Sequence, residues 1–271
     1  MRVLVTGANG YVGQRVCQKR LTQTVQVVGT VRDADRATSL PEGIEPVVLP
    51  LDQPDDWGAA TQSVDAVIHT AFAGHNTEFL QAVAWEHEAI AAMLSEMTGT
   101  GKTLIVSNGT VFLGDSGDSA LSEDAPIIAD HPAAVRGFAT SQVFAGHVTG
   151  IRATELRLAS FVYGHGGSIF VPAMLAAARR DGRSIFVGDG MARTSTLHVD
   201  AAADAYVAAL MTPDAAGSYH VASSDSPTVR EIAQAVAIAA DGATLVSVDQ
   251  DEAATALDPF TAAFLTVNNR L

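Results

Sequence analysis

Short apolar runs alternate with longer segments of helical periodicity through the first half of this chain. The runs have the length and the β-branched content of buried strands, and they span residues 3–5, 25–31, 46–49, 64–69 and 103–106. The clearest helix between them covers 78–97, and its predicted buried face comprises Phe79, Val83, Ile90, Leu94 and Met97. Because parallel strands need long crossovers, this alternation predicts a parallel sheet with helices on both faces.

The alternation loosens after about residue 159. We expect further helices at "VPAMLAAARRDG", ended by Gly182, at "DAAADAYVAALM", with Asp200 as its N-cap, and at "TVREIAQAVAIAA", with Ser226-Pro227 at its start. The predicted organisation is a main domain over residues 1–160 and a smaller lobe over residues 161–271, part of which returns to the main sheet.

Charge and cysteine content narrow the function classes. The formal charge of −14 argues against a protein that binds nucleic-acid phosphates, since such proteins present basic faces. Cys17 is the only cysteine, so no disulfide can form within the chain and a reducing compartment is favoured. No run approaches the ~20 apolar residues of a membrane span, and a strand starting almost at Met1 leaves no room for a secretory leader. We expect a cytoplasmic protein that binds neither nucleic acid nor membrane.

The stretch "TGANGYVG" follows the first predicted strand and precedes a helix. Gly7 permits a tight turn, Gly10 lets the backbone approach a pyrophosphate, and Gly13 lets the helix pack closely on the sheet. This context is typical of a dinucleotide site, and an ordinary tight connection is the alternative. The predicted cofactor contacts in this stretch are Gly7, Asn9, Gly10, Tyr11, Val12 and Gly13.

The end of the second predicted strand bears on the choice of cofactor. NAD-binding proteins place a carboxylate there, whereas an arginine nearby accommodates the 2′-phosphate of NADP. Here Thr30 stands at the position of the acid and Arg32 follows it, which favours NADP over NAD. In the alternative interpretation Arg32 is a solvated charge and Asp33 only caps a helix.

Further candidate contacts follow the other predicted strands, because open α/β sheets bind ligands at the carboxyl ends of their strands. The small residues after the fourth strand would let a cofactor lie close, although close helix packing would also explain them. The candidates are Leu51, Asp52, Thr70, Ala71, Phe72, Ala73, Ser107, Gln142, Ser160 and Phe161.

Six stretches occur in the order found in one family: "TGANGYVG", "VIHTAFAG", "LIVSNGTVFLG", "RLASFVYGHGG", "GDGMARTSTLHVDAAADAYVAAL" and "GSYHVASSDSPTVREIA". Over nearly its whole length the chain resembles the extended short-chain dehydrogenases/reductases, which are NAD-dependent epimerase/dehydratase-like proteins. The resemblance implies an α/β fold, namely a Rossmann-type doubly wound parallel sheet with a small C-terminal substrate lobe, and an NAD(P) cofactor.

The chain departs from that family at the catalytic positions. The resemblance implies a Tyr-x-x-x-Lys pair on the helix after the fifth strand, yet Phe138 and Gln142 stand at those positions. Asn108, near Thr110, stands where the family has a serine or threonine. Phenylalanine has no ionisable proton, whereas Asn108 could donate to an oxyanion and Gln142 could bind a ribose hydroxyl.

Other side chains are candidate replacements for the missing tyrosine. Tyr163 and His165, in a loop that borders the substrate in the family, are candidate proton donors; the alternative is a packed tyrosine and a solvated histidine. Arg193 could pair with an anionic substrate or lie on the surface. No metal site is predicted, because the histidines lack the spacing of a helical zinc site; the acidic cluster Asp115, Asp118, Glu123 and Asp124 is interpreted as a solvated loop, with a hard-cation site as the alternative. The histidines considered were His69, His75, His87 and His131.

These observations favour an NADP(H)-dependent oxidoreductase that reduces a carbonyl group or an activated double bond of a small organic molecule at a non-standard active site. The site residues for catalysis are Asn108, Thr110, Phe138, Gln142, Tyr163 and His165. Two alternatives stay open: a non-redox isomerase, cyclase or dehydratase on the same scaffold, and an NADP-sensing binding protein without catalysis. The sequence leaves the oligomeric state open, with a homodimer as one option.

Overall fold

The computed structural model describes residues 1–18, 25–73, 77–128 and 134–271. It divides the chain into two compact units. The first comprises Met1–Phe112, Ala129–Leu158 and Val199–Val221, and the second comprises Leu113–Ile128, Ala159–His198 and Ala222–Leu271. Each unit therefore draws on separate stretches of the chain.

The described strands are β1 (Arg2–Thr6), β2 (Gln26–Val31), β3 (Glu45–Val48), β4 (Ala66–His69), β5 (Thr103–Gly109), β6 (Arg152–Leu158), β7 (Phe161–Tyr163), β8 (Arg183–Val187), β9 (Thr196–His198), β10 (Gly217–Val221) and β11 (Thr244–Val248). Seven form the sheet of the first unit in the order β10-β6-β5-β4-β1-β2-β3, and all neighbouring pairs are parallel. The order reverses direction between β1 and β4, and such a switch point is where doubly wound sheets bind ligands. The five predicted strands and the predicted fold class are confirmed, but the prediction that the third strand is buried is wrong, because β3 is an edge strand and is mostly exposed.

The described helices are α1 (Tyr11–Val16), α2 (Pro54–Gln62), α3 (Phe79–Met97), α4 (Ala134–Gly137), α5 (Ala139–Val148), α6 (Phe170–Asp181), α7 (Val199–Met211), α8 (Val229–Ala239), α9 (Gln250–Ala256) and α10 (Pro259–Phe264). Short 3₁₀ helices cover Ala34–Ser39 and Val111–Leu113. None of the helices in the described ranges combines the length and the apolar character needed to cross a lipid bilayer.

The core of the first unit lies between the sheet and helices α2 and α3. Trp57, Ile90, Met93 and Leu104 are completely buried there. The prediction that Phe79 belongs to the buried face of α3 is wrong, because its side chain is 41% exposed. Phe79 is the first residue of the helix and is not part of the buried core cluster. A buried carboxylate, Glu86, lies on the inner face instead.

Helix boundaries in the later part of the chain follow capping chemistry. Gly182 ends α6 in the left-handed region, at φ 67°, as predicted. Helix α8 follows Ser226-Pro227 as predicted, and its N-cap is Thr228, whose hydroxyl accepts from the Glu231 N–H in a capping box. Asp200 does not cap α7 either: the helix begins at Val199, and the Asp200 carboxylate is paired with Arg15 at 2.7 Å.

Candidate functional site

The glycine turn after β1 is built so tightly that only glycine fits at two of its positions. Gly7 has φ 62°, and a Cβ there would lie 2.9 Å from the Ala71 Cα. A Cβ at Gly13 would collide with the Gly7 carbonyl oxygen and lie 2.7 Å from the Thr70 Oγ1. Gly10 is exposed and precedes α1, whose first-turn N–H groups have no acceptor within the helix.

A hydroxyl on β1 joins the glycine turn to the end of β4. Thr6 Oγ1 accepts from the backbone N–H groups of Thr70 and Ala71 at 3.0 and 3.1 Å. Thr70 Oγ1 in turn donates to the Thr6 carbonyl oxygen at 2.6 Å. Because Thr6 Oγ1 already accepts two bonds, its proton is directed at His69 Nδ1, 2.9 Å away.

His69 is therefore the neutral tautomer that carries its proton on Nε2. Nε2 has no partner within the described residues, and the ring meets the Trp57 ring edge-on with centroids 5.8 Å apart. The pKa of His69 is lowered to about 4, mainly by complete burial; Glu86 opposes this effect and Arg136 adds to it. The imidazole is a structural part of the site, because it is uncharged at neutral pH and cannot exchange protons with a ligand outside the core.

The end of β2 presents two arginines and no carboxylate in the place of the acid. Thr30 is buried and its Oγ1 accepts from the Gly7 N–H at 3.1 Å, so this side chain supports the glycine turn. Arg32 is 68% exposed and lies 3.5 Å from Asp33. Asp33 also caps the Ala34–Ser39 helix through the Arg36 N–H, and Arg36 Nε is 3.2 Å from its carboxylate. The capping role proposed for Asp33 is thus present together with two exposed guanidinium groups.

Asn108 belongs to a buried hydrogen-bond network. Its Nδ2 donates to Glu155 Oε1 at 2.9 Å, and its Oδ1 accepts from the Gly109 N–H at 3.0 Å. Glu155 Oε2 also accepts from Arg157 Nε and from Ser218 Oγ, both at 2.7 Å. Both ends of the Asn108 amide are therefore engaged inside the protein, and its orientation is fixed.

Ser107 links three elements through its side chain. Tyr206 on α7 donates its O–H to Ser107 Oγ at 2.6 Å, and Ser107 Oγ donates to the His69 carbonyl oxygen at 2.6 Å. Burial raises the pKa of Tyr206 to about 12 and outweighs the opposing effects of Ser107 and Arg136. Tyr206 consequently stays protonated and ties α7 to the ends of β4 and β5.

A guanidinium group lies above the carboxyl ends of β4 and β5. Arg136, on α4, donates from Nε and Nη2 to the two carboxylate oxygens of Glu86, each at 2.9 Å. Its guanidinium carbon lies 4.2 Å from the centroid of the Phe72 ring, and Nη2 is 3.5 Å from the Ser107 carbonyl oxygen. Burial lowers the pKa of Arg136, but Glu86 offsets this and the net direction is a rise. The group is thus a permanently charged donor with a fixed orientation.

The positions of the expected tyrosine and lysine differ in exposure. Phe138 precedes α5 and is largely exposed, whereas Gln142 is partly buried. Gln142 Oε1 is buried and has no hydrogen-bond donor within the part of the chain that the structure describes.

Thr110 is completely buried and its N–H donates to the Leu158 carbonyl oxygen at 3.1 Å. Leu51 packs on the core after β3, and the neighbouring Asp52 is exposed.

The remaining candidates belong to the second unit. Ser160 Oγ donates to Asn269 Oδ1 at 2.9 Å, and the buried Phe161 ring stacks on Phe170 at 4.8 Å. The Tyr163 and His165 rings both approach His198, with centroids 5.4 and 5.5 Å away. The Arg193 guanidinium donates to the Ser226 carbonyl oxygen at 2.7 Å. Of the histidines weighed as metal ligands, His75 and His131 lie outside the described residues.

The structure therefore brings together the glycine turn, Thr70 to Phe72 and Ser107 in the first unit. Sequence reasoning missed Glu86, Arg136 and Tyr206, which complete this cluster. A carboxylate on the apolar face of a predicted helix was the available signal for Glu86, because a buried carboxylate needs a cation or several donors.

Comparison with known proteins agrees with this architecture. The model of the NAD dependent epimerase/dehydratase family matches residues 3–222. The chain is 31% identical to an uncharacterised protein of Schizosaccharomyces pombe, over 99% of this chain and 90% of the relative. It is 27% identical to the 2-alkyl-3-oxoalkanoate reductase of Stenotrophomonas maltophilia, over 91% and 77% of the two chains. The crystal structure of Thermus thermophilus UDP-glucose 4-epimerase in complex with NAD has a TM-score of 0.74 at 21% identity, covering 91% of this chain and 86% of the epimerase.

Proposed function

Because the chain belongs to the NAD-dependent epimerase/dehydratase family, we propose that it is an NADP(H)-dependent reductase acting on a carbonyl group or an activated double bond of a small organic molecule. The observation that carries the proposal is the glycine turn. Its close packing against Ala71 and Thr70 excludes side chains at Gly7 and Gly13, and Gly10 stays exposed ahead of α1. Such a turn suits the backbone approach of a pyrophosphate.

A second observation fits the rest of the cofactor. Gln142 Oε1 is a buried acceptor without a donor in the described residues, and a ribose hydroxyl would supply one. The small residues Ala71 and Ala73 follow β4 beside the turn and add little bulk. Gly7, Thr70 and Gln142 would thus hold parts of the nucleotide without any ionised side chain.

The choice of NADP rests on the end of β2. Thr30 stands at the position of the acid, and its hydroxyl already accepts from the Gly7 N–H, so this position offers no carboxylate for the ribose hydroxyls. Arg32 and Arg36 both lie beside Asp33 with exposed guanidinium groups that suit a phosphate monoester. The Thermus thermophilus epimerase structure contains NAD, so the preference for NADP rests on these two arginines alone.

Reduction of a carbonyl is supported by the Stenotrophomonas maltophilia relative, a 2-alkyl-3-oxoalkanoate reductase. A bound nicotinamide supplies the hydride, and the chain binds, orients and polarises the acceptor. Phe138 offers no proton, so we propose that water supplies it. A chain with a single cysteine is also suited to the reducing cytoplasm, where we place it.

Calorimetry tests the cofactor assignment. We expect NADPH to bind more tightly than NADH, and Arg32→Ala to weaken NADPH binding by about tenfold or more while leaving NADH binding nearly unchanged, since one charge-assisted contact contributes roughly 1.5–3 kcal/mol. Arg180→Ala, another exposed arginine paired with a neighbouring aspartate, is the control. Equal weakening of both nucleotides would refute the 2′-phosphate assignment.

Turnover tests the reaction. NADPH-loaded protein is mixed with 3-oxoalkanoic acids, their esters and simple ketones, and the loss of nicotinamide absorbance is followed. Formation of an isomer or dehydrated product with no net oxidation of the cofactor would replace the reductase by the epimerase or dehydratase class that the family name includes. Tight cofactor binding with no product from any compound would favour the alternative that the chain is an NADP-sensing binding protein without catalysis.

A further inference from the structure

One nitrogen of the Arg136 guanidinium is not engaged by any residue in the described ranges. Nε and Nη2 are engaged by Glu86, and Nη2 also lies 3.5 Å from the Ser107 carbonyl oxygen. Nη1 has no acceptor within the described residues, although the side chain is only 23% exposed. Its two N–H groups are thus available at the carboxyl ends of β4 and β5, where doubly wound sheets place their ligands.

The surroundings select the kind of atom that Nη1 can bind. A carboxylate binds arginine best through two neighbouring nitrogens. Glu86 already occupies the Nε/Nη2 pair, and Nη2, which the Nη1/Nη2 pair would also need, lies 3.5 Å from the Ser107 carbonyl oxygen. The charge of Arg136 is also already balanced by Glu86. A single oxygen that is neutral in the ground state and becomes negative during reaction meets both conditions.

We propose that Arg136 Nη1 binds the carbonyl oxygen of the substrate and stabilises the oxyanion that forms there, in place of the missing phenol. This inference rests on the proposed reductase function. The orientation of the donor is set before substrate arrives, because Glu86 holds two of its nitrogens and the Phe72 ring lies 4.2 Å from its central carbon. Prepositioned donors of this kind stabilise developing charge without reorganisation.

The proposed step balances without an ionisable acid on the protein. The carbonyl carbon gains a hydride from the reduced nicotinamide, and the π pair of the C=O bond moves to the oxygen. Arg136 donates hydrogen bonds to that oxygen and keeps its own protons. A water molecule then protonates the alkoxide, leaving an alcohol, hydroxide and the oxidised nicotinamide.

Two variants test the role of Arg136. R136M should lower kcat by about 100-fold, the typical cost of one oxyanion donor, with a small change in KM and no change in NADPH binding. R136K keeps a cation beside Glu86, and its rate should decline as the pH rises toward the ordinary lysine pKa of about 10.4, a limb that arginine does not give. A purely structural role would not create that limb. R180M, on an exposed arginine paired with Asp181, is the matched control.

Two probe substrates distinguish an oxyanion donor from a carboxylate anchor at Arg136. They are 3-oxobutanoate and its neutral ethyl ester, each with an isotope label on the ketone carbon. In the complex with NADP⁺, the infrared stretch of the bound ketone should be lowered in the wild type and restored in R136M. If R136M folds poorly, the double variant E86Q/R136M takes its place, because it leaves no unpaired buried carboxylate. It should show the same loss of kcat and the same restored carbonyl stretch. An increase in KM confined to the acid would make Arg136 a carboxylate anchor and overturn the proposal.

Failure of the wider function gives a different result. If the wild type binds NADPH but neither binds nor reduces either probe, the reductase assignment fails for this substrate class and the role of Arg136 fails with it. If the wild type reduces both probes, and R136M and R136K match it in kcat, pH profile and carbonyl stretch, the reductase stands and only the role of Arg136 is refuted.

Discussion

Replacement of Glu155 by glutamine should destabilise the first unit strongly, although the two side chains have the same shape. The carboxylate accepts from Asn108, Arg157 and Ser218, and Glu155 and Arg157 are only 1% and 4% exposed. A glutamine presents an NH₂ group to at least one of these donors and removes the negative charge that lies 2.7 Å from Arg157 Nε.

The size of the effect follows from the burial of the pair. Breaking a buried ion pair by removing one partner costs about 3–5 kcal/mol, because the other charge stays desolvated. Replacing Glu155 and Arg157 together by leucine removes both charges, so the double variant should be more stable than Glu155→Gln, despite carrying two substitutions.

Urea denaturation followed by tryptophan fluorescence measures this effect in the relevant unit. The two tryptophans of the chain, Trp57 and Trp85, both lie in the stretch Met1–Phe112 of the first unit. The midpoint of Glu155→Gln should fall by on the order of 1–2 M urea. Asp181→Asn, in an exposed pair with Arg180, is the control and should leave the midpoint unchanged. A midpoint for Glu155→Gln that matches the control would refute the argument from burial.

Three further predictions rest on other residues. The pKa of His69 is lowered from 6.5 to about 4, so its contribution to stability is complete above pH 6.5 and is lost as the pH falls toward 4. The free energy of unfolding should fall by up to about 1.4 kcal/mol per pH unit in this window. His69→Phe should flatten this part of the stability curve, and an unchanged slope would contradict the assignment. Cys17 is buried, and burial raises its pKa to about 12. A thiol reagent at neutral pH should therefore label Cys17 only at the rate of local opening or unfolding. Fast labelling of the native protein would show that the thiol is not buried. Gly13→Ala should weaken NADPH binding by at least tenfold in calorimetry, because the added methyl displaces the Gly7 carbonyl oxygen and distorts the turn; unchanged affinity would mean that the turn does not hold the cofactor.

The features that were predictable from sequence are local. Four of the first five strands are runs of mostly buried apolar residues, β3 being the exposed exception, and the glycine turn needs only the residues 7–13 and the strand before them. The start of α7 was harder, because Asp200 carries an ordinary capping signal but pairs instead with Arg15, 185 residues away. The start of α8 was local, since its N-cap Thr228 is the first residue of the predicted helix.

The parts of the site that sequence reasoning missed depend on partners distant in the chain. Arg136 meets Glu86 across 50 residues, Tyr206 meets Ser107 across 99, and Asn108 meets Glu155 across 47. No periodicity links such pairs, because they come together only when the sheet order places their elements side by side. Asn108 illustrates the consequence: its amide chemistry was predicted, but the carboxylate that occupies it was not.

The arrangement of the seven-stranded sheet has a consequence for synthesis on the ribosome. Its edge strand β10 comes from Gly217–Val221, after the stretch Ala159–His198 that belongs to the second unit. Until that edge strand emerges, β6 has an open side and Glu155 lacks the hydroxyl of Ser218. A nascent chain halted near residue 160 should therefore expose an unpaired strand edge that favours association with other chains, and completion of the sheet must wait for about four fifths of the polypeptide.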